Sequence, residues 1–347
     1  MDPAVGAWCR GTEVCFRLLD KGQRLSGVRL GSGAFPRGAD LSFDYDGDSH
    51  TWELRRPRPA VQRLEYKLEL LHPDGRSEWV CDPDNPARVG GGFGDSSELR
   101  CPDYREPAWL TWPQAPGDWR DIYLPLPALR SEMVARVWSP RTRATGVVIA
   151  HDGPDYHRFG ELGRYTAATI RAGRVPPYHL VLLPPGERLE WYSANPAYAR
   201  ALANDVLPKL AAELGTNAPV VGVGASLGGL AMLHAQRRHP DGFAALFLQS
   251  ASLFQPRFDR HESGFGRYLR IVRFTGRVRR RAEGPAVPIA MTCGAVEENL
   301  ANNADMAAVL RRHGYEVTFA EVPDAHTWVG WRDAFDPHLT ALLTKVL

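Results

Sequence analysis

The chain has 347 residues, of which 44% are hydrophobic and 24% are charged, and its formal net charge is +2. This composition is typical of a soluble globular protein with room for two domains and a large core. So small a net charge gives no reason to expect a nucleic-acid partner, and since no apolar run approaches about 18 residues, the sequence predicts no membrane-spanning helix.

Residues 1–112 predict a small all-β domain. Apolar and polar residues alternate with a period of two in 13–18, 51–54 and 64–70, which is typical of strands with one buried face. Turn-forming residues such as Asp46-Gly47 and Asp74-Gly75 separate these segments. Short strands at this spacing favour a β-sandwich.

Residues 113–347 show a different pattern, in which buried strands alternate with helices. Continuous apolar runs at 146–150, 180–183 and 220–223 are expected of strands covered on both faces. Further strands are predicted at 244–248, 288–292 and 317–322, and helices at 195–214, 227–239, 300–313 and 332–345. This alternation predicts an α/β fold with a mostly parallel, doubly wound sheet.

The amino-terminal residues lack a basic stretch followed by an apolar core, which indicates no signal peptide. The five cysteines have no regular spacing: Cys9, Cys15, Cys81, Cys101 and Cys293. We therefore expect reduced thiols in a cytoplasmic protein. The sequence predicts neither a cofactor nor a resident metal, and no pattern in it specifies an oligomeric state.

Residues 224–228, Gly-Ala-Ser-Leu-Gly, match the G-x-S-x-G pattern and lie between a predicted strand and a predicted helix. The turn must lift a serine hydroxyl out of the sheet, and side chains two positions on either side would collide with the backbone. The following helix directs free N–H groups at the serine, where they stabilise negative charge. The pattern predicts Ser226 as a nucleophile; the alternative is a serine that only forms a turn.

A serine hydroxyl is a weak nucleophile at neutral pH, so it needs a general base, and the base needs an orienting acid. His326 directly follows the last predicted strand, which is where the base lies when the chain order is serine, acid, histidine. The alternative is a surface histidine. Glu297 follows the preceding strand and is the favoured acid, with Glu298 and Asp324 as alternatives. Glu297 can equally stabilise a helix N-terminus.

An acyl-transfer site also needs donors for the oxyanion. The N–H of Leu227, the residue after the predicted nucleophile, is expected to be one of them. The second is expected from the loop at 151–156. Because Pro154 has no N–H, this donor must be Gly153 or Asp155.

Residues 257–281 contain nine arginines and no lysine. Phe265, Tyr268, Leu269 and Val272 recur at helical spacing, which predicts an amphipathic helix within an insertion that covers the site as a lid. One interpretation is a solvated basic face. The other is that some of these arginines receive an anionic substrate.

The chain resembles the enterochelin (ferric enterobactin) esterase family of the esterase-D-like α/β-hydrolases. The resemblance depends on Gly-Ala-Ser-Leu-Gly-Gly at 224–229, Asp152-Gly153, Arg188 with Glu190, Asn195 and Tyr198, Gly294-x-x-Glu297 followed by Asn302 or Asn303, and His326-x-Trp328 with Trp331-Arg332. It implies an α/β-hydrolase domain preceded by an immunoglobulin-like domain related to glycogen-binding modules. It also implies Ser226 as the nucleophile, His326 as the base and Glu297 as the acid.

These features predict a serine esterase that hydrolyses a siderophore, such as an enterobactin-like trilactone, to release iron in the cytoplasm. The candidate substrate-binding residues are Arg188, Tyr192, Arg257, Arg267, Arg270 and Trp328. One alternative is a carbohydrate or feruloyl esterase, or an acyltransferase, of the same fold. Another is a non-catalytic glycan- or ligand-binding protein on a hydrolase scaffold. The expected partner is a small-molecule ester, with or without a ferric ion, and neither nucleic acid nor membrane.

Overall fold

The computed structural model describes residues 5–282 and 284–347. These residues form two compact units. The first unit contains the described residues up to Arg105 together with two later segments, Gly294–Glu297 and Val322–Gly330. The second unit contains Glu106–Cys293, Glu298–Glu321 and Trp331–Leu347.

The first unit is built from nine strands. They are β1 (Gly6–Arg10), β2 (Glu13–Leu19), β3 (Gly27–Gly31), β4 (Asp44–Asp46), β5 (Thr51–Pro57), β6 (Arg63–Leu71), β7 (Ser77–Val80), β8 (Arg88–Val89) and β9 (Ser96–Arg100). One sheet has the order β1-β2-β5-β4, and the other has the order β3-β6-β9-β8 with β7 paired to β6. Alternate residues of these strands, such as Phe16, Leu54, Leu64 and Tyr66, form a shared hydrophobic core, as the period-two pattern predicts.

An eight-stranded sheet has the order β10-β11-β13-β12-β14-β15-β16-β17. Its strands are β10 (Gly117–Leu126), β11 (Ser131–Pro140), β12 (Gly146–Ala150), β13 (Tyr178–Leu182), β14 (Val220–Ala225), β15 (Ala245–Gln249), β16 (Ile289–Gly294) and β17 (Val317–Val322). The strands β12 to β16 are parallel to one another, whereas β10, β11 and β13 pair in antiparallel fashion. The mostly parallel sheet predicted from the buried apolar runs is confirmed.

The helices connect these strands. They are α1 (Gly153–Arg158), α2 (Leu162–Arg171), α3 (Arg188–Trp191), α4 (Pro196–Ala201), α5 (Leu207–Leu214), α6 (Leu227–Arg238), α7 (Tyr268–Arg280), α8 (Leu300–Arg312), α9 (Trp328–Asp333) and α10 (Thr340–Val346). A π-helical turn, Leu202–Val206, joins α4 to α5 within the helical region predicted at 195–214. The single helix predicted at 332–345 is interrupted before Pro337, which has no N–H to continue the helical hydrogen bonds.

The expectation of five reduced cysteines is wrong for two of them. Cys9 at the end of β1 and Cys101 after β9 form a disulfide, and their Cα atoms are 5.4 Å apart. Cys15, Cys81 and Cys293 have reduced thiols. The sequence contains no signal for this pair because 92 positions separate the two residues. Such a bridge restricts the unfolded chain and thereby stabilises the first unit.

Within the described residues, none of the helices combines the length and the apolar composition that crossing a bilayer requires.

Candidate active site

Ser226 occupies the turn between β14 and α6. Its backbone angles, φ +53° and ψ −125°, lie in a region that residues other than glycine rarely adopt. Main-chain hydrogen bonds hold this conformation: the N–H of Ser226 donates to the carbonyl of Gln249 at 2.9 Å, and the N–H of Ser252 donates to the carbonyl of Ser226 at 3.0 Å. The side chain is therefore not needed to hold the turn.

The glycines around Ser226 are required by the close packing of this turn. A Cβ atom at Gly224 would lie 2.5 Å from the carbonyl carbon of Gly228, which confirms the predicted collision with the backbone. At Gly228 a Cβ atom would instead meet the side chain of His151 at 3.2 Å, a tight but less severe contact. Gly229 is also restricted, because its Cβ atom would lie 2.9 Å from the carbonyl oxygen of Gly224.

A buried histidine supports the first turn of α6. The ring of His151 stacks on Tyr192, with centroids 4.4 Å apart. A carbonyl can only accept, so Nδ1 of His151 donates to the carbonyl of Gly228 at 3.0 Å, and Nε2 accepts from the hydroxyl of Tyr198 at 2.9 Å. Burial lowers the pKa of His151 to about 4. The ring is neutral at neutral pH, as this pair of hydrogen bonds requires.

The hydroxyl of Ser226 has a serine neighbour that the sequence pattern does not reveal. The side-chain oxygens of Ser226 and Ser252 are 3.2 Å apart. Ser252 is itself buried. Three residues beyond the end of β15, it lies at the carboxyl edge of the sheet, where ligands bind in folds of this type.

The first unit contains the predicted base together with the favoured acid. Nδ1 of His326 is 2.7 Å from Oε2 of Glu297. The Glu297 side chain is only 2% exposed, whereas that of His326 is 41% exposed. The other carboxylate oxygen of Glu297 accepts from the N–H of Gly294 at 2.8 Å. Because an ionised carboxylate can only accept, Nδ1 carries the proton, and Nε2 is the ring nitrogen that can act as a general base.

The two alternative acids have other partners. Glu298 lies 2.8 Å from Nε2 of His261. Asp324 is buried and accepts from Nη1 of Arg63 at 2.9 Å. Burial raises the pKa of Asp324 to about 6, against the opposing effect of the Arg63 charge. Of the three candidates, Glu297 is the carboxylate that contacts His326.

The predicted second oxyanion donors are wrong. The N–H of Gly153 donates to the carbonyl of Leu183 at 2.8 Å, and the N–H of Asp155 donates to the carbonyl of Asp152 at 3.0 Å. Both N–H groups therefore already have acceptors within the protein. Gly153 and Asp155 lie in the first turn of α1, and Gly153 packs against Leu182 at the end of β13. Leu227 is the first residue of α6, where an N–H has no acceptor within the helix.

Arg188 and Tyr192 support the loop after β12. Nε and Nη2 of Arg188 each donate to one carboxylate oxygen of Asp152, both at 2.8 Å. The guanidinium lies over the ring of Tyr192, 5.7 Å from its centroid. Tyr192 is fully buried, so its predicted contact with substrate is wrong. About a third of the Arg188 side chain is exposed, which leaves part of its surface open to a ligand.

The arginine-rich insertion is fastened by carboxylates. Glu190 binds two arginines of α7 and its approach: Nε of Arg267 at 2.5 Å and Nη1 of Arg270 at 2.5 Å. Arg270 also donates to the carbonyls of Ser193 and Glu190, each at 2.6 Å. The hydrogen bond from Arg270, followed by that from Arg267, lowers the pKa of Glu190. Each such group of two arginines and one carboxylate retains one positive charge.

Asp305 on α8 forms a second group of this kind, with Arg257 and Arg279. Arg257 also stacks on Phe258. Hence the three arginines of the insertion that are predicted to bind substrate, Arg257, Arg267 and Arg270, all have carboxylate partners in the second unit. The predicted amphipathic helix exists as α7, but Leu269 is 64% exposed, because the buried face instead uses Tyr268, Ile271 and Val278.

Trp328 is half-buried and begins α9, two residues after His326. Among the described residues, His261, Glu262 and Glu298 bring their potential metal ligands within 4.8 Å of one another. Within this cluster, Nε2 of His261 and a carboxylate oxygen of Glu298 contact each other directly at 2.8 Å.

The sheet, the strained serine after β14 and the acid–histidine pair are the features of an α/β-hydrolase. Residues 127–342 match the family model Esterase. The chain therefore belongs to this esterase family and is a carboxylic ester hydrolase. No curated protein matches the sequence significantly.

Solved structures of similar fold include enterobactin esterases. The enterobactin esterase FES from Shigella flexneri, crystallised in the presence of enterobactin, has a TM-score of 0.77 at 17% identity, covering 98% of this chain and 95% of that chain. The ferric enterobactin esterase from Salmonella typhimurium has a TM-score of 0.79 at 17% identity, covering 98% and 96%. A ferulic acid esterase has a TM-score of 0.56 at 19% identity, covering 67% and 99%. The predicted resemblance to enterochelin esterases is thus confirmed for the fold.

We predict that the hydrogen bonds of Arg270 anchor the insertion and protect it from proteolysis. Arg270→Gln removes hydrogen bonds from the guanidinium to Glu190 and Ser193, and charged hydrogen bonds of this kind contribute about 1.5–3 kcal/mol. We expect thermolysin to cleave within 257–282 about tenfold faster in this variant. Arg273→Gln, at an exposed position of the same helix, is the control and is expected to leave the rate unchanged. Equal cleavage rates in the two variants would contradict the anchoring role of Arg270.

Proposed function

We propose that this protein is a serine esterase that cleaves the ester bonds of a siderophore-type oligo-ester. Ser226 is the nucleophile, and the Glu297–His326 pair supplies the general base. The observation that carries the proposal is the 2.7 Å hydrogen bond between Glu297 and Nδ1 of His326. It selects the tautomer in which Nε2 accepts a proton.

In the acylation step, the side-chain oxygen of Ser226 attacks the ester carbonyl while Nε2 of His326 takes the hydroxyl proton. The N–H of Leu227, at the start of α6, donates to the oxyanion that forms on the carbonyl oxygen. Collapse of this tetrahedral intermediate breaks the carbon–oxygen bond of the ester. The imidazolium of His326 returns the proton to the departing alkoxide, and the acyl group remains on Ser226.

In the deacylation step, His326 takes a proton from water, and the resulting hydroxide attacks the acyl carbonyl. Collapse of the second tetrahedral intermediate breaks the bond between the serine oxygen and the acyl carbon and releases the carboxylic acid. The imidazolium of His326 returns its proton to the serine oxygen, which restores the hydroxyl of Ser226. Glu297 remains ionised throughout and stabilises the imidazolium that forms in each half-reaction.

The substrate class is supported by the charge of the insertion and by the solved structures. Residues 257–281 carry nine arginines against two carboxylates. Glu190 and Asp305 add two further carboxylates from outside the insertion, so positive charge still exceeds negative charge there, which favours a substrate with anionic catecholates or carboxylates. The structural similarity to the enterobactin esterases extends over almost the whole chain, whereas the similarity to the ferulic acid esterase extends over about two thirds of it. Cleavage of an oligo-ester backbone separates its chelating groups, which lowers their effective concentration and weakens their hold on a ferric ion.

Ser226→Ala tests the nucleophile. We expect ester turnover to fall about 10⁴-fold or more, because no hydroxyl remains to form the acyl-enzyme. Mass spectrometry after incubation with a fluorophosphonate should show one adduct on Ser226 of the wild type and none in the variant. Circular dichroism should show an unchanged fold. Turnover retained by a folded Ser226→Ala protein would rule out Ser226 as the nucleophile.

Glu297→Gln tests the acid, with the neighbouring Glu298→Gln as a matched control. A glutamine amide can donate to Nδ1 of His326 and stabilise the wrong tautomer, so we expect kcat to fall about 10²–10⁴-fold. Glu298 contacts His261 instead, and Glu298→Gln should keep kcat within about twofold of the wild type. If both variants lost activity equally, the acid would not be Glu297.

A substrate panel tests the siderophore class. We expect kcat/KM for enterobactin to exceed that for methyl ferulate by about 10²-fold or more, because several anionic groups and aryl rings then contribute binding energy. 4-Nitrophenyl acetate reports whether the esterase chemistry is intact in every preparation. A higher kcat/KM for methyl ferulate would replace the siderophore proposal with a feruloyl esterase.

A further inference from the structure

The loop that carries His326 belongs to the first unit and packs against its β-sandwich. The N–H of Gln62, just before β6, donates to the carbonyl of Pro323 at 2.9 Å. Ala325 is buried in the core of the sandwich, and Val296 packs against the same core. Residues adjacent to His326 and Glu297 thus contact the hydrophobic core of the β-sandwich.

Arg63, the first residue of β6, is the charged centre of this contact. Its side chain is 1% exposed. Nε donates to Oε1 of Glu98 at 2.7 Å, and Nη2 donates to Oε1 of Glu65 at 2.7 Å. Nη1 donates to Oδ2 of Asp324 at 2.9 Å and to the hydroxyl of Thr327 at 3.2 Å. All three guanidinium nitrogens are therefore directed to specific partners.

The two loop partners of Arg63 enclose His326 in the sequence. Asp324 precedes the histidine by two positions, and Thr327 follows it directly. Oδ1 of Asp324 also accepts from the N–H of Ala325 at 2.7 Å and from the hydroxyl of Thr327 at 3.2 Å. The N–H of Gly330 donates to Thr327 at 3.0 Å. A single guanidinium thus fixes both ends of the short segment that presents the imidazole.

We infer that Arg63 is a positioning residue of the esterase reaction, acting on His326 through Asp324 and Thr327. The inference rests on the proposed role of His326 as the general base. It gives the β-sandwich a function in catalysis: β6 supplies the anchor of the base loop. Because the Arg63 side chain is 1% exposed, we expect it to contact neither substrate nor reacting atoms, and its effect to be on the orientation of the imidazole and not on binding.

Arg63→Lys is the informative variant. It keeps the positive charge that Glu98, Glu65 and Asp324 require, but an ammonium cannot reproduce the planar fork of the guanidinium. We expect kcat to fall about tenfold to 10²-fold with KM changed less than about twofold, because orientation contributes to the chemical step. Amide hydrogen exchange in 322–330 should become faster. Thr327→Val, which removes one partner of Arg63 and leaves its charge balanced, should lower kcat in the same way.

Arg17→Lys is the matched control, since Arg17 forms an ion pair with Glu53 at 2.7 Å in the other sheet of the sandwich. It should leave kcat and exchange in 322–330 unchanged. A kcat for both Arg63→Lys and Thr327→Val within twofold of this control would overturn the inference. His326→Ala distinguishes a failure of the proposed base from a failure of the inference about Arg63. Retained activity in His326→Ala rejects His326 as the base, whereas hydrogen exchange in 322–330 of Arg63→Lys still reports whether Arg63 orders the loop.

Discussion

The turn between β14 and α6 has no room for a Cβ atom at position 224, and the second unit is organised around this constraint. The main chains of Gly224 and Gly228 approach so closely that strand, turn and first helical turn form one packed element. The neutral ring of His151 binds the carbonyl of Gly228 from the loop after β12. Main-chain hydrogen bonds hold the strained conformation of Ser226, so its hydroxyl, which lies beside the N-terminal N–H groups of α6, is not needed to hold the turn.

Much of this arrangement could be predicted from the sequence, because it depends on local patterns. Continuous apolar runs identify the parallel strands, and the glycine spacing identifies the turn at Ser226. The order of the strands then suggests where an acid and a histidine follow. The choice among Glu297, Glu298 and Asp324 as the acid could not be made from local patterns. It depends on side-chain direction over a few positions, which a sequence pattern does not encode, and on the distant partners His261 and Arg63.

The failed predictions concern groups whose partners are far away in the sequence. Gly153 and Asp155 are suitable oxyanion donors by position, but the carbonyls of Leu183 and Asp152 already use their N–H groups. The arginines of the insertion suggested free positive charge, yet Glu190 and Asp305 each bind two of them. Cys9 and Cys101 are likewise distant in the sequence, and strand pairing in the first unit brings them together. Composition shows which charges and thiols are present, but not which of them are already paired.

The energetics of buried ion pairs bear on why a charged residue, Arg63, anchors the loop that carries His326. A buried arginine among carboxylates is a poor source of stability, because removing the charges from water costs about as much as their attraction returns. An apolar contact of similar size would hold the loop at lower cost, and Ala325 makes such a contact. Apolar contacts, however, are non-directional and permit small shifts. Arg63 imposes direction at three nitrogens, and a base that must meet a proton within hydrogen-bond distance tolerates little displacement. On this view, the charged anchor persists for the geometry it imposes on His326 and not for the stability it adds.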